Sequence, residues 1–254
     1  MDSLKNKVAI ITGGAGGIGI ATAKLFLAEG AKVMIVGRTE EKLKNAIIEL
    51  KSTDATYCVA DVSEEDDTKK YVELTRATFG SIDIFFSNAG IEGVVKPIAE
   101  YPIEAFDKVI AINLKGVWLG CQHVIPKMTD GGSVIITSSV AGLKGFESLG
   151  AYVASKHGVI GIMRVAALEF ANRNIRVNTI HPGPVNTRMM RALESSISPN
   201  DANEAKKGFE SNIPFGRYAE PEEIADLALF LASDASKYIT GSLQAVSYTH
   251  LTLP

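Results

Sequence analysis

The stretch VAIITGGAGGIGIATAKLFLAEG, Val8–Gly30, decides the fold. Val8–Thr12 is a short unbroken apolar run, the pattern of a strand covered on both faces. GGAGGIG follows, and Ile18, Ala21, Leu25 and Ala28 then recur at helical spacing until Gly30 stops them. Glycines between a strand and a helix let the backbone approach a pyrophosphate, and the helix N-terminus offers unpaired N–H groups and a positive dipole end to it. Two registers fit: Gly14, Gly16 and Gly19 match Gly-x-Gly-x-x-Gly, while Gly13, Gly17 and Gly19 match a wider variant. A tight loop would also use glycines, but the flanking strand and helix favour a ligand site.

The pattern then repeats down the chain. Strands are predicted at Lys32–Val36, Thr56–Ala60, Ile82–Ser87, Val134–Thr137, Ile175–Ile180 and Ser242–Val246, with helical segments between them. One helix, or two in succession, covers Tyr101–Lys127, another runs from Ala151 to about Ala171, and a third spans Pro221–Leu231; Ser63 with Asp66 reads as the cap of the helix after the third strand. Such alternation predicts an α/β fold with a doubly wound parallel sheet. The length of 254 residues suits one domain, taken as residues 1–246. Thr187–Asn212 is polar and reads as irregular, either a flap over a site, with Met189 and Met190 as adaptable contacts, or a plain surface insertion.

Chemistry concentrates in Ser138–Lys156, SSVAGLKGFESLGAYVASK. On a helix, Tyr152 and Lys156 share a face, and an adjacent ammonium should favour phenolate and bring the tyrosine towards a useful pKa. Ser139 follows an apolar strand, at the edge where open parallel sheets bind ligands. A tyrosine four residues before a lysine is common by chance, so the pair has weight only within this setting. The second strand ends in Gly37 and Arg38, where an NAD site would place an acid on the ribose 2′-hydroxyl. Arg38 could instead pair with a 2′-phosphate, which predicts NADP(H) over NAD(H), with NAD(H) still admissible; the alternative is a solvated surface arginine. Asp61, followed by Val62, could meet an adenine or merely begin a turn. Asn88, Ala89 and Gly90 allow close backbone approach to a ligand, and Asn113, a poor helix former in mid-helix, implies a kink or a polar task.

Composition narrows the classes. The chain is 46% apolar and 22% charged with a formal charge of −3, a globular composition with no basic footprint for nucleic acid. No apolar run approaches a bilayer span and no leader precedes the first strand, so no membrane partner and a cytoplasmic location are expected. Cys58 and Cys121 lie in apolar stretches and read as buried free thiols, and the four histidines show no ligand spacing, so no metal is expected.

Taken together, Thr12 with Gly13, Gly17 and Gly19, then Asn88-Ala89-Gly90, Asn113, Ser139, Tyr152, Lys156 and Pro182-Gly183 resemble the short-chain dehydrogenase/reductase family, over essentially Lys7 to Val246. The resemblance implies a Rossmann-type sheet of about seven parallel strands with helices on both faces, and a homotetramer or homodimer built through the Asn113 and Tyr152 helices. It implies an NAD(P)(H)-dependent oxidoreductase acting on a secondary alcohol or its ketone: Tyr152 as general acid/base, Ser139 on the carbonyl oxygen, Lys156 on the tyrosine and the ribose, and Asn113 holding a relay water. Cofactor contacts are implied at Gly13, Gly17, Ile18, Gly19, Arg38, Asp61, Val62, Asn88, Ala89, Gly90, Tyr152, Lys156, Pro182, Gly183, Val185 and Thr187. Substrate contacts are expected from Ser139, Tyr152, Val94, Glu147, Leu149, Met189 and Met190, a mostly apolar set that suits a cyclic or hydrophobic ketone, with a 3-oxoacyl thioester as the alternative. Two other readings are a dinucleotide-binding sensor without turnover, which the complete Asn, Ser, Tyr and Lys set disfavours, and a Rossmann-like methyltransferase, which would need an acid in place of Arg38. Ser87 stands where relatives have Asn. Ser247–Pro254, SYTHLTLP, departs from the Asp-Gly-Gly continuation of relatives; VSYTHL matches one reading frame of a sequencing adapter, so a non-native tail is expected there.

Overall fold

The computed structural model describes residues 2–247. Seven strands, β1 (Val8–Thr12), β2 (Lys32–Gly37), β3 (Ala55–Val59), β4 (Ile84–Ser87), β5 (Ser133–Thr137), β6 (Arg176–Pro182) and β7 (Leu243–Val246), form one sheet in the order β3-β2-β1-β4-β5-β6-β7. Every neighbouring pair is parallel. The strands are apolar throughout because both faces are covered: Phe85 and Phe86 in β4 point to opposite sides and neither is exposed. Burying each contributes about 1.5–3 kcal/mol.

Phe85 packs with Tyr71 of α3 (Glu65–Phe79), Val117 of α5 (Gly116–Val124; α4 is Ile103–Ile110) and Met163 of α6 (Gly150–Glu169). Phe86 packs in one cluster with Phe26 of α1 (Gly17–Ala28), Leu43 of α2 (Glu40–Leu50) and, on the same face, Ile224 and Leu231 of α9 (Pro221–Ala232; α7 and α8 are Arg188–Ile197 and Ala202–Ser211). Chain order reverses beside β1, so the ends of β1, β4, β5 and β6 open together at the sheet's carboxyl edge. Cys58 and Cys121 are buried free thiols.

Three local expectations need correction. The segment read as Tyr101–Lys127 begins at Ile103, after Pro102, and passes through a π-turn at Ala111–Lys115 between α4 and α5. Thr187–Asn212 is not irregular: α7 and α8 occupy it, with the Asp201 carboxylate accepting from the N–H groups of Asn203 at 3.0 Å and Glu204 at 3.2 Å. Ser63 does not cap α3, whose cap position is Glu64; its hydroxyl donates to Asp61 Oδ1 at 2.7 Å. The expected non-native tail lies outside the described residues apart from Ser247. Among the described residues no helix is long and apolar enough to cross a membrane, and no cluster of His, Cys, Asp or Glu could hold a metal ion.

Candidate active site

A cleft of about 580 Å³ opens along the carboxyl edge. Its floor is the glycine turn. Gly13, Gly16 and Gly17 line the cleft, whereas Gly14 faces Ile35 of β2, where a Cβ would come within 2.5 Å. Gly13 has φ +65°, and a Cβ there would lie 3.0 Å from Ala89 Cα; at Gly17 it would lie 2.9 Å from Thr187 Cγ2. Gly19 is off the cleft, packed beneath the Gly13 carbonyl. No side chain caps the start of α1 and no acid occupies its first turn. Bare N–H groups, a positive dipole end and a cradle that any side chain would fill fit the pyrophosphate of a dinucleotide.

The Asn88-Ala89-Gly90 turn is fixed from below. Thr12 Oγ1 accepts from the N–H groups of Asn88 (3.0 Å) and Ala89 (3.1 Å), Asn88 Nδ2 donates to the Thr12 carbonyl (3.2 Å), and Thr137 Oγ1 donates to Asn88 Oδ1 (3.2 Å). Ile18, Arg38, Pro182, Gly183, Val185 and Thr187 complete the lining of the long arm. Asp61 is not on the lining, but its carboxylate is 3.7 Å from the Arg38 guanidinium. Burial pushes the Asp61 carboxyl upward, yet hydrogen bonds from the Ser63 side chain and N–H, with the Arg38 charge, hold it below its ordinary value. Val62 is turned away, packed where a Cβ on Gly116 would meet it at 2.9 Å. Lys42 lines the cleft beside Arg38 and was missed, since on the sequence it is one more lysine of a charged helix.

Ser139, Tyr152 and Lys156 line the same cleft. Ser139 leaves β5 with its Oγ accepting from Ala141 N–H (3.1 Å), and its carbonyl receives Nδ1 of buried His181 at 2.9 Å. That carbonyl can only accept, so Nδ1 carries the proton; burial lowers the imidazole pKa, which keeps the ring neutral. Lys156 is 3% exposed, and its Nζ donates to the Thr137 carbonyl at 2.8 Å while lying 5.6 Å from the Tyr152 ring centroid. Asn113 is fully buried at the π-turn: Oδ1 accepts from Ile91 N–H (2.8 Å), and Nδ2 donates to the Ile91 carbonyl (2.9 Å) and Ser155 Oγ (3.1 Å). The mid-helix Asn thus has both a polar task and an altered helix. A Cβ on Gly90 would lie 3.4 Å from Asn113 Oδ1 and 3.5 Å from Lys156 Nζ, so glycine keeps the space between them open.

The pKa pattern differs from the sequence expectation. Burial pushes the Tyr152 phenol up; the Ser139 hydroxyl favours phenolate, and the Glu92 carboxylate opposes it. Lys156 does not reverse this; burial brings its own pKa down to about 8, which leaves it mostly an ammonium at neutral pH. The protein alone therefore holds a neutral phenol, ready to donate.

Leu149, Met189 and Met190 line the cleft, together with Val140, Phe146, Leu193 and Phe209. Val94, 39% exposed, and Glu147, also exposed, are not on the wall. Sequence reading missed Phe209 because it lies in the segment taken as irregular. It also missed Glu92, although the residue stands only two positions after Gly90; no side chain pairs with it among the described residues, and it is the cleft's one lining carboxylate there.

A family model described as enoyl-(acyl carrier protein) reductase matches residues 13–247. Levodione reductase of Leifsonia aquatica is 40% identical over 94% of this chain and 91% of its own length. Cyclohexanol dehydrogenase of Acinetobacter sp. (strain SE19) is 35% identical, with 96% of this chain and 95% of the relative covered. The 3-oxoacyl-(acyl-carrier-protein) reductase FabG of Thermotoga maritima is 40% identical over 94% and 96%. The crystal structure of levodione reductase superposes with a TM-score of 0.93 at 39% identity, covering 96% of this chain and 97% of that one. With the sheet order, the glycine turn and the Ser-Tyr-Lys cleft in place, these matches identify the chain as a member of the short-chain dehydrogenase/reductase family, an oxidoreductase that moves hydride between a nicotinamide cofactor and a secondary alcohol or its ketone.

Proposed function

We propose that this chain interconverts a cyclic or otherwise hydrophobic ketone and its alcohol, with NADP(H) preferred. The observation that carries this is the meeting of Ser139, Tyr152 and Lys156 with the glycine cradle in one cleft whose far wall is apolar. The bound nicotinamide supplies or accepts the hydride. In reduction, the Tyr152 phenol gives its proton to the carbonyl oxygen, on which Ser139 also donates a hydrogen bond as negative charge develops. Lys156 steadies the resulting phenolate, and its proton is renewed through the space that Gly90 leaves beside Asn113. In oxidation the phenolate takes the alcohol proton. Residues 1–246 act as one unit in this reading, working in the cytoplasm. Following NADPH and NADH oxidation against a panel of cyclic ketones, small acyclic ketones, sugars and acyl thioesters tests it; turnover of none, or of sugars alone, would overturn it.

Arg38 and Lys42 supply two cations at the end of β2, suited to a 2′-phosphate. Arg38 is half exposed and shared with Asp61, so its contribution is discounted for solvent. Arg38→Ala should raise KM for NADPH about tenfold and leave KM for NADH nearly unchanged. Equal losses with both cofactors would assign Arg38 a structural part.

Glu92 should act on proton transfer through its field. Because its charge raises the Tyr152 pKa, Glu92→Gln should let phenolate persist to lower pH, moving the acid limb of kcat/KM for alcohol oxidation downward. An unmoved limb would remove Glu92 from this role.

A second copy of the chain is the partner expected on α5 and α6. Trp118, Val165 and Leu168 are 54%, 51% and 80% exposed there, beside a groove between Leu114 and Ile162, an apolar face that association would cover. Sedimentation would distinguish dimer, tetramer and monomer.

A further inference from the structure

The segment from α7 to Asn212 leaves the body after Thr187 and returns at Arg217–Ala219. Both roots are fixed: Asn186 N–H donates to the Ala219 carbonyl at 2.8 Å, Ala219 N–H donates to the Pro184 carbonyl at 3.0 Å, and Arg217 is paired with Glu223 of α9 at 2.7 Å. Tyr218, 3% exposed, therefore belongs to the body. Glu194, on α7, belongs to the lid and is 1% exposed. A carboxylate so deeply covered is costly unless it is partnered. Its partner is the Tyr218 hydroxyl, which donates to Oε1 at 2.7 Å. Arg191, one turn earlier, stands 2.8 Å from the same oxygen as an ion pair without hydrogen-bond alignment.

The Tyr218 ring is also clasped by the lid. Arg191 lies 5.3 Å and Lys206 5.5 Å from its centroid, and Phe209 of α8 meets it edge-on at 6.5 Å. Phe209 lines the cleft, as do Met189, Met190 and Leu193 of α7, whereas Tyr218 and Glu194 do not. Burial and the neighbouring carboxylate push the Tyr218 pKa up, so the phenol remains a donor at any working pH.

We propose that the Tyr218–Glu194 hydrogen bond is a latch between body and lid, and that these two positioning residues set the substrate wall that Met189, Met190, Leu193 and Phe209 form. Its effect on substrate choice rests on the proposed function; its effect on lid seating does not. The lid seats fully only when the buried carboxylate meets its donor, which places the apolar wall at one distance from Tyr152 and Ser139.

The test uses Tyr218→Phe, which keeps the ring and removes the donor, on the full chain. In cofactor-free protein, trypsin cleavage after Arg188, Arg191, Lys206 and Lys207 should be about tenfold faster than in wild type, the effect of leaving one buried acceptor unpaired. With saturating NADPH, KM for cyclohexanone should rise about tenfold, while kcat/KM for butan-2-one, too small to need the wall, changes less than about twofold. Glu194→Leu should accelerate cleavage equally, and the double variant should be no faster than either single one. If Glu194→Leu fails to fold, the near-isosteric Tyr218→Phe still decides. Unchanged cleavage in Tyr218→Phe, or additive effects in the double variant, would overturn the latch. Faster cleavage with no ketone turned over by wild type would sustain the latch and sink the proposed function, and an equal loss for both ketones would overturn its part in selection.

Discussion

Tyr152→Phe should lower kcat for ketone reduction by roughly two to four orders of magnitude, the range over which a positioned general acid contributes. The variant keeps the ring and loses one oxygen, so the apolar wall and the glycine cradle stay as they are. Cofactor affinity, read by fluorescence titration of the nicotinamide, should change less than about threefold, because the lost oxygen is one polar group among many along the cleft. KM for the ketone should rise only modestly, since the hydrogen bond to the carbonyl strengthens mainly as charge develops. The asymmetry between a large loss in kcat and a small change in cofactor binding is what separates acid catalysis from a supporting role. A variant that retained more than about a tenth of wild-type kcat would place the proton elsewhere.

Much of this architecture was legible because the physical constraints are local. Val8–Thr12 must be covered on both faces, and a glycine turn leading into a helix has few other uses, so the parallel sheet and its edge follow from short-range pattern. The Tyr152–Lys156 face followed equally from helical spacing. What escaped depended on long-range packing. That Gly14 must be glycine is set by Ile35 of β2, which stands against it and leaves no room for a side chain. The pKa of Tyr152 is set by how deeply the phenol is covered and by Glu92, neither of which helical spacing can express. The helices α7 and α8 were hidden because their larger apolar residues are few and mostly spent on the cleft: Met189, Met190, Leu193 and Phe209 line it, Ile197 is exposed, and the remaining positions are small or polar. Val94 and Glu147, expected near the substrate, are both exposed and off the cleft lining.

Lys156→Met should abolish most activity and, in cofactor-free protein, make the fold more stable. Lys156 is 3% exposed, and burial brings its pKa from 10.5 to about 8. Holding the charged form there therefore costs on the order of 3 kcal/mol at neutral pH. Met fills similar length without charge, and the loss of the donor to the Thr137 carbonyl offsets about 1 kcal/mol of the gain. The net effect, about 1–2 kcal/mol, corresponds to a rise in Tm of roughly 2–8 °C for a chain of this size. The sign depends on pH in a definite way. Between about pH 8 and 10.5 the unfolded wild type binds a proton that the folded protein has released, so wild-type stability rises with pH across that window. The advantage of Lys156→Met should consequently be full below pH 8 and fade towards pH 10.5. Activity should fall about 10²–10³-fold in the same variant, since the phenolate loses its cation and the proton path its link to Asn113. Thermal melts across this range, made without cofactor so that ligand binding adds nothing, separate the two effects. A variant less stable than wild type at neutral pH would mean that the Thr137 carbonyl outweighs the buried charge, and the ammonium would then be a structural tie before it is a catalytic one.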